Sequence, residues 1–384
     1  MTARPGGLGA LQRPVDEQLQ RMTRERWADR LWKRDGSLWS GDSEKARDIA
    51  WWMGWLGVAE TMLERGQEFE LARREMGSRF DHVVLCGMGG SSLCPEVLRT
   101  TFGRQQGAPE LIVLDSTDPS TIAAVQARID LARTLFLVAS KSGGTLETLS
   151  HYRFFHQAMR DAGVEHHSRH FVAITDPGSG LEKLAREQDF GHMFLNPEDI
   201  GGRYSALSYF GMVPAALMGL DQSRLLESAQ AMAASCREPA AADNPGLALG
   251  AVLGAAAAAG RDKCTIVCSP AVANLGTWLE QLLAESTGKE GKGVIPVPAE
   301  PLGSAQVYGN DRLFVYVRSA GADPAQDDAM EALRQAGQPV YTIETGGVQD
   351  LGGEFLRWEI ATATAGAILE IDPFDQPNVQ ESKD

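Results

Sequence analysis

Cysteine is scarce in this chain: 384 residues hold only Cys86, Cys94, Cys236, Cys264 and Cys268. The number is odd and no pair stands at CxxC spacing, so nothing points to a disulfide framework or a zinc site. The expected role is that of small buried hydrophobes in a reducing cytoplasm. Positive charge is also short. There are 36 Lys and Arg against 51 Asp and Glu, a net charge of −15 at pH 7. That argues against non-specific binding to nucleic acid or an anionic membrane, both of which need a basic surface. Anionic substrates stay open, because a local site can be positive on an acidic protein. No apolar run approaches the roughly 20 residues of a membrane span. The closest is the alanine run at 255–259. The start, MTARPGGLGALQRP, lacks the basic opening and apolar stretch of a secretion signal, so a cytoplasmic location is expected.

What is present is ordinary for a globular protein: 43% apolar residues, 23% charged, and a length suited to two domains. Residues 1–80 read as mostly helical and rich in Trp, Arg and Glu. Beyond them, short apolar strands alternate with helical patterns: HVVLCGMGG (82–90), LIVLDSTDP (111–119), LFLVASKSGG (135–144) and FVAITDPGSG (171–180). This is the rhythm of a doubly wound parallel sheet, whose functional loops sit at the carboxyl ends of strands. An Ala-rich helical region is expected over about 222–260. The rhythm then restarts with CTIVCSP (264–270), a helix over 271–286, LFVYVRSAG (313–321), a helix over 325–336 and PVYTIET (339–345). The expected organisation is a helical segment (1–80), a first α/β domain (81–221) and a second (222–384). The chain stops soon after NVQESKD begins, so a shortened C-terminus is expected.

Five stretches carry candidate chemistry. Gly87-Met88-Gly89-Gly90-Ser91-Ser92 follows a strand. It is either a tight strand-to-helix turn or a backbone cradle for an anion, and it is a poor dinucleotide motif because Ser92 replaces the last Gly. Ser140-Lys141-Ser142-Gly143-Gly144-Thr145 gathers three hydroxyls, two glycines and a Lys at a helix start. Such a cluster suits a phosphate, with simple N-capping as the alternative. Gly201-Gly202-Arg203 offers a guanidinium to an oxyanion, or is a surface Arg after a flexible turn. In WLEQLLAESTGKEGKG, Gln281 and Glu285 share one helix face and Gly288 is a plausible stop. Glu285 then sits at the negative end of the dipole, which favours proton uptake; otherwise it is a solvated Glu beside Lys289 and Lys292. The tail FDQPNVQESKD, with Lys383, reads as a turn leading to a frayed end.

Taken together, GMGGSS, SKSGGTLET, GGRYSALS, ESTGKEGKG and FDQPNVQESK occur in this order in the phosphoglucose isomerase family, which the chain resembles from about residue 82 to 383. ESTGKEGKG and RLWKRDGSLWSGD look most similar to the isomerase half of bifunctional transaldolase/glucose-6-phosphate isomerases. The resemblance implies two tandem sugar-isomerase (SIS) domains, each a three-layer α/β sandwich. It implies interconversion of glucose 6-phosphate and fructose 6-phosphate with neither metal nor organic cofactor. It further implies a homodimer and a possible functional link to a transaldolase. Carried over, Ser140, Lys141, Ser142 and Thr145 match the phosphate loop, and Gly90 and Ser91 the sugar-contacting turn. Arg203 matches the Arg that steadies the enediolate, Gln281 a substrate-binding Gln, Glu285 the base, and Lys383 the Lys that assists ring opening. One departure stands out. The family's His after the Glu motif, donated across the dimer, has no counterpart, because all seven His lie between His82 and His192 and residues 295–311 contain none. Two other readings accompany this one: a non-catalytic sugar-phosphate-binding SIS module, and a dual phosphoglucose/phosphomannose isomerase. A nucleotide-dependent oxidoreductase rests on one degraded Gly motif only.

Overall fold

In the computed structural model, residues 7–375 are described. They fall into two compact units, one joining the chain up to Leu56 to the chain from Glu227, the other formed by Gly57–Leu226.

The second of these holds a parallel five-stranded sheet. Its strands are β1 (His82–Gly87), β2 (Glu110–Leu114), β3 (Thr134–Ala139), β4 (Phe171–Thr175) and β5 (His192–Leu195), in the order β2-β1-β3-β4-β5. Every residue of β3 and β4 is buried, as a parallel strand covered by helices on both faces requires. Phe136 of β3 packs against Phe155 and Phe171 at ring separations of 4.6 and 5.2 Å. Burial of each such ring contributes about 1.5–3 kcal/mol. The first four strands follow the expected segments. β5 was not expected, being short and partly exposed.

The other unit repeats the pattern with β6 (Lys263–Cys268), β7 (Ile295–Pro298), β8 (Arg312–Ser319) and β9 (Val340–Thr345), in the order β7-β6-β8-β9. The expected helix over 271–286 begins later, as Leu275–Thr287, because Pro270–Val272 first makes a 3-10 turn. The helical region 222–260 is two helices, Gln222–Ser235 and Pro245–Ala258. Proline at 245 removes a donor and disfavours helix at the residue before it, so Asn244 becomes the N-cap and accepts from Leu247 N at 3.0 Å. The early Trp-rich stretch packs onto this unit: Trp39 Nε1 donates to the Ala363 carbonyl at 2.8 Å and Trp32 Nε1 to that of Cys236 at 2.9 Å.

A further helix, Leu351–Leu369, is buried along nearly its whole length, so it has no polar face to betray it in the sequence. It lies close against Pro245–Ala258. A Cβ at Gly250 would come within 2.8 Å of the Ala361 carbonyl, and one at Gly254 within 2.7 Å of Ile368. All five cysteines are buried thiols, and burial pushes those of Cys236, Cys264 and Cys268 to about 12. No described helix is long and apolar enough to cross a membrane.

Glu359 lies inside this helix, fully buried, with neither carboxylate oxygen hydrogen-bonded to a described residue. Burial pushes its carboxyl well above the usual range. The folded state therefore keeps a proton that the unfolded chain releases, and stability falls as pH rises from the unfolded value toward the raised folded one. Glu359→Gln mimics the protonated form. Thermal scans are expected to show the variant at least as stable as the parent at neutral pH, with its advantage growing as pH rises above the ordinary carboxylate range. A variant that melts lower at every pH would contradict this.

Candidate active site

In the five-stranded unit, β1 and β3 are neighbours, with Gly87 opposite Ala139. Their carboxyl ends release the two glycine-rich motifs side by side, at the point where the strand order reverses. After β1 the chain turns through Gly89–Ser91 into the helix Leu93–Phe102. Gly90 has no room for a side chain, because a Cβ would collide with the Gly202 carbonyl and reach 2.9 Å from the Arg203 nitrogen. The Ser205 hydroxyl donates to the Gly202 carbonyl at 2.6 Å and reaches that of Gly90 at 3.5 Å. The turn bearing Gly90 and Ser91 is thus packed backbone to backbone against the Gly202–Tyr204 turn bearing Arg203. Arg203 is 1% exposed, its guanidinium 5.6 Å from the Tyr204 ring centre, and so is no surface residue.

The loop after β3 is tied to itself. The Ser140 and Thr145 hydroxyls lie 2.9 Å apart, Gly143 N donates to Ser140 Oγ at 3.1 Å, and Gly144 N donates to Ser142 Oγ at 3.3 Å. Thr145 holds the N-cap position of the helix Leu146–Asp161 but makes no side-chain cap. The N–H groups of that first turn therefore keep their capacity to donate to an anion. Ser142 is exposed and Ser140 buried. Lys141 pairs with Asp176, which follows β4, and donates to the Glu198 carbonyl at 3.1 Å. Burial raises the Asp176 carboxyl despite this pairing. Sequence reasoning did not single out Asp176; its one signal was its place just after a buried strand.

In the other unit, Gln281 and Glu285 share the face expected of them. Gln281 Nε2 donates to Glu285 Oε2 at 3.0 Å, which orients a half-buried carboxylate in the last turn of Leu275–Thr287. The basic loop that follows is not solvated as a whole. Lys289 is buried and pairs with Asp375, while Lys292 Nζ donates at 2.7 Å to the Leu369 carbonyl at the end of the long helix. Residues 295–311 begin as the edge strand β7, and Glu300 accepts from Thr265 and Arg312 at 2.9 and 2.8 Å. Lys383 lies outside the described residues. Among the described residues no group of three or more His, Cys, Asp or Glu is placed to hold a metal ion.

Both sheets are parallel, the architecture of an α/β protein with two tandem sheets. A family model described as phosphoglucose isomerase matches residues 63–295. The glucose-6-phosphate isomerase of Rubrobacter xylanophilus is 30% identical over 86% of this chain and 87% of its own length. Among solved structures, a hypothetical protein of Thermus thermophilus superimposes with a TM-score of 0.83 at 26% identity, covering 97% of this chain and 96% of the other. A glucose-6-phosphate isomerase of Chlamydia trachomatis shares the fold, with a TM-score of 0.70 at 23% identity over 93% of this chain and 76% of its own. The chain belongs to the phosphoglucose isomerase family, a family of isomerases.

Gly90→Ala tests the backbone contact between the first two turns. Overpacking at this point is expected to cost about 1–3 kcal/mol in urea unfolding. An unchanged midpoint would show that the two turns can separate freely.

Proposed function

We propose that the protein is a glucose-6-phosphate isomerase that works without a cofactor, with Glu285 as the base. The observation that carries the reading is the Gln281–Glu285 hydrogen bond, which aims a carboxylate of the family's ESTGK motif from a rigid helix end. In the open-chain aldose, Glu285 takes the proton from C2. The C–H electrons form the C1–C2 double bond, and the carbonyl electrons move to the C1 oxygen. The resulting enediolate needs a fixed positive charge, the role proposed for Arg203. Returning the carbon-bound proton to C1 while the proton of the C2 hydroxyl passes to the C1 oxygen gives the ketose. Ser140, Lys141, Ser142 and Thr145 are assigned to the phosphate, whose binding energy then serves orientation. Gly90, Ser91 and Gln281 are assigned to the sugar, and Lys383 to ring opening, where this sequence lacks the family's His.

The same proposal reads each sheet with its helices as an SIS domain, at 81–221 and 222–384 after a helical segment, 1–80. A homodimer, a cytoplasmic location, a place in glycolysis and gluconeogenesis and a functional link to a transaldolase belong to it too. These rest on the family resemblance alone.

The test is a coupled assay of fructose 6-phosphate in chelator, with glucose-6-phosphate dehydrogenase reporting NADPH. Glu285→Gln is expected to lower kcat by about 10²-fold or more with little change in KM. Lys141→Ala is expected to raise KM by about tenfold while kcat changes far less. Wild type that binds phosphosugar but turns none over would favour a sugar-phosphate sensor instead.

A further inference from the structure

Lys289 has no part in the proposed chemistry, yet it is one of the few buried lysines such a chain can hold. It stands four residues after Glu285, just past the helix end at Thr287. Its side chain is 7% exposed. A buried ammonium is tolerated only when its protons are matched by acceptors. Among the described residues, its side-chain acceptors come from one short stretch. Nζ donates to the Asp372 carbonyl at 2.6 Å, to the Asp375 carbonyl at 2.9 Å and to the Asp375 carboxylate. The loop that presents it is tight: Lys289 N donates to the Thr287 carbonyl at 2.8 Å, and Lys292 N to that of Lys289 at 2.9 Å. Lys292 reinforces the contact by donating to Leu369 at 2.7 Å.

The stretch being held is fixed from its other side as well. Phe374 is 4% exposed, with its ring 5.5 Å edge-on from Trp39 and 6.2 Å from Trp55. Its backbone N–H donates to Asp372 Oδ1 at 2.8 Å. The 372–375 turn is therefore clamped between an ammonium and two indoles. Asp375 belongs to FDQPNVQESK, and Lys383 follows it by eight residues in the sequence.

We propose that Lys289 is a positioning residue for the isomerisation: it locks the start of the FDQPNVQESK segment to the end of the helix that carries Glu285. This rests on the functional reading above. Its contribution is geometric, so its loss acts on turnover more than on ground-state binding; misplacement by about 1 Å can cost up to ~10²-fold in rate.

The experiment compares wild type, Lys289→Met, Lys289→Arg and Glu285→Gln. It measures kcat and KM for fructose 6-phosphate, Kd for the unreactive acyclic sorbitol 6-phosphate, and melting. Lys289→Met is expected to lower kcat by about tenfold or more while Kd moves less than about threefold, and Lys289→Arg to recover most of the loss. A folded Lys289→Met with wild-type kcat overturns the proposal, as does a parallel loss of kcat and binding that Lys289→Arg does not repair. If Lys289→Met shows no cooperative melting, Asp375→Asn decides, since it leaves both carbonyl contacts in place. A kcat lowered about fivefold supports the lock, and an unchanged kcat overturns it. Glu285→Gln separates the two ideas. Its retention of wild-type kcat would sink the base assignment itself, whereas an inactive Glu285→Gln beside a fully active Lys289→Met would sink only the lock.

Discussion

A parallel strand covered on both faces has nowhere to put an unpaired polar side chain, and most of this protein's layout follows from that. β3 and β4 are buried at every position, and β1 at all but its first residue. Polar groups are therefore pushed to where the strands stop. Ser140 to Thr145 begin at the residue after β3, Asp176 directly after β4, and the Gly89–Ser91 turn just after β1. The strand order then decides which of these ends are neighbours. With β1 beside β3, two motifs about 50 residues apart in sequence emerge together.

The four-stranded unit uses the same sheet logic and places its candidate carboxylate differently. The helix Leu275–Thr287 follows β6 and precedes the parallel β7, so it runs back toward the amino ends of the strands. Glu285, in its last turn, is carried to that edge. The general rule that functional loops gather at carboxyl ends locates the 140–145 loop but does not locate the carboxylate. Lysine contacts to backbone carbonyls tie this edge to the end of the long helix. Lys292 satisfies an orphan carbonyl at the end of Leu351–Leu369, and Lys289 satisfies two in the turn beyond it. Lysine suits both positions, since an ammonium presents three donors on a flexible stem.

Burial also explains what the sequence concealed. The helix Leu351–Leu369 carries Glu354, Arg357 and Glu359 but exposes almost none of them. Glu354 and Arg357 pair at 3.2 Å in the interior, whereas Glu359 has no such partner among the described residues, and burial pushes its carboxyl upward. An amphipathic pattern never arises in a helix surrounded on all sides, so periodicity has nothing to detect. β5 and β7 escape for the opposite reason, being too short and too exposed to read as strands.

The amino-acid sequence by itself determined the α/β rhythm, seven of the nine described strands, the pairing of Gln281 with Glu285 on one helix face and, through five ordered motifs, the family. These are local or linear properties: hydrophobic period, helical spacing, turn residues and motif order. Tertiary structure decided that Gly90 must stay bare because the Gly202 backbone lies against it, that Arg203 is buried, that Lys141 faces Asp176, and that the two lysines of the basic loop grip the 369–375 segment. Each of these joins residues distant along the chain, or depends on what covers a side chain. Neither can be read from a residue's own neighbours in sequence, because only the packed backbone fixes which acceptor a buried cation meets.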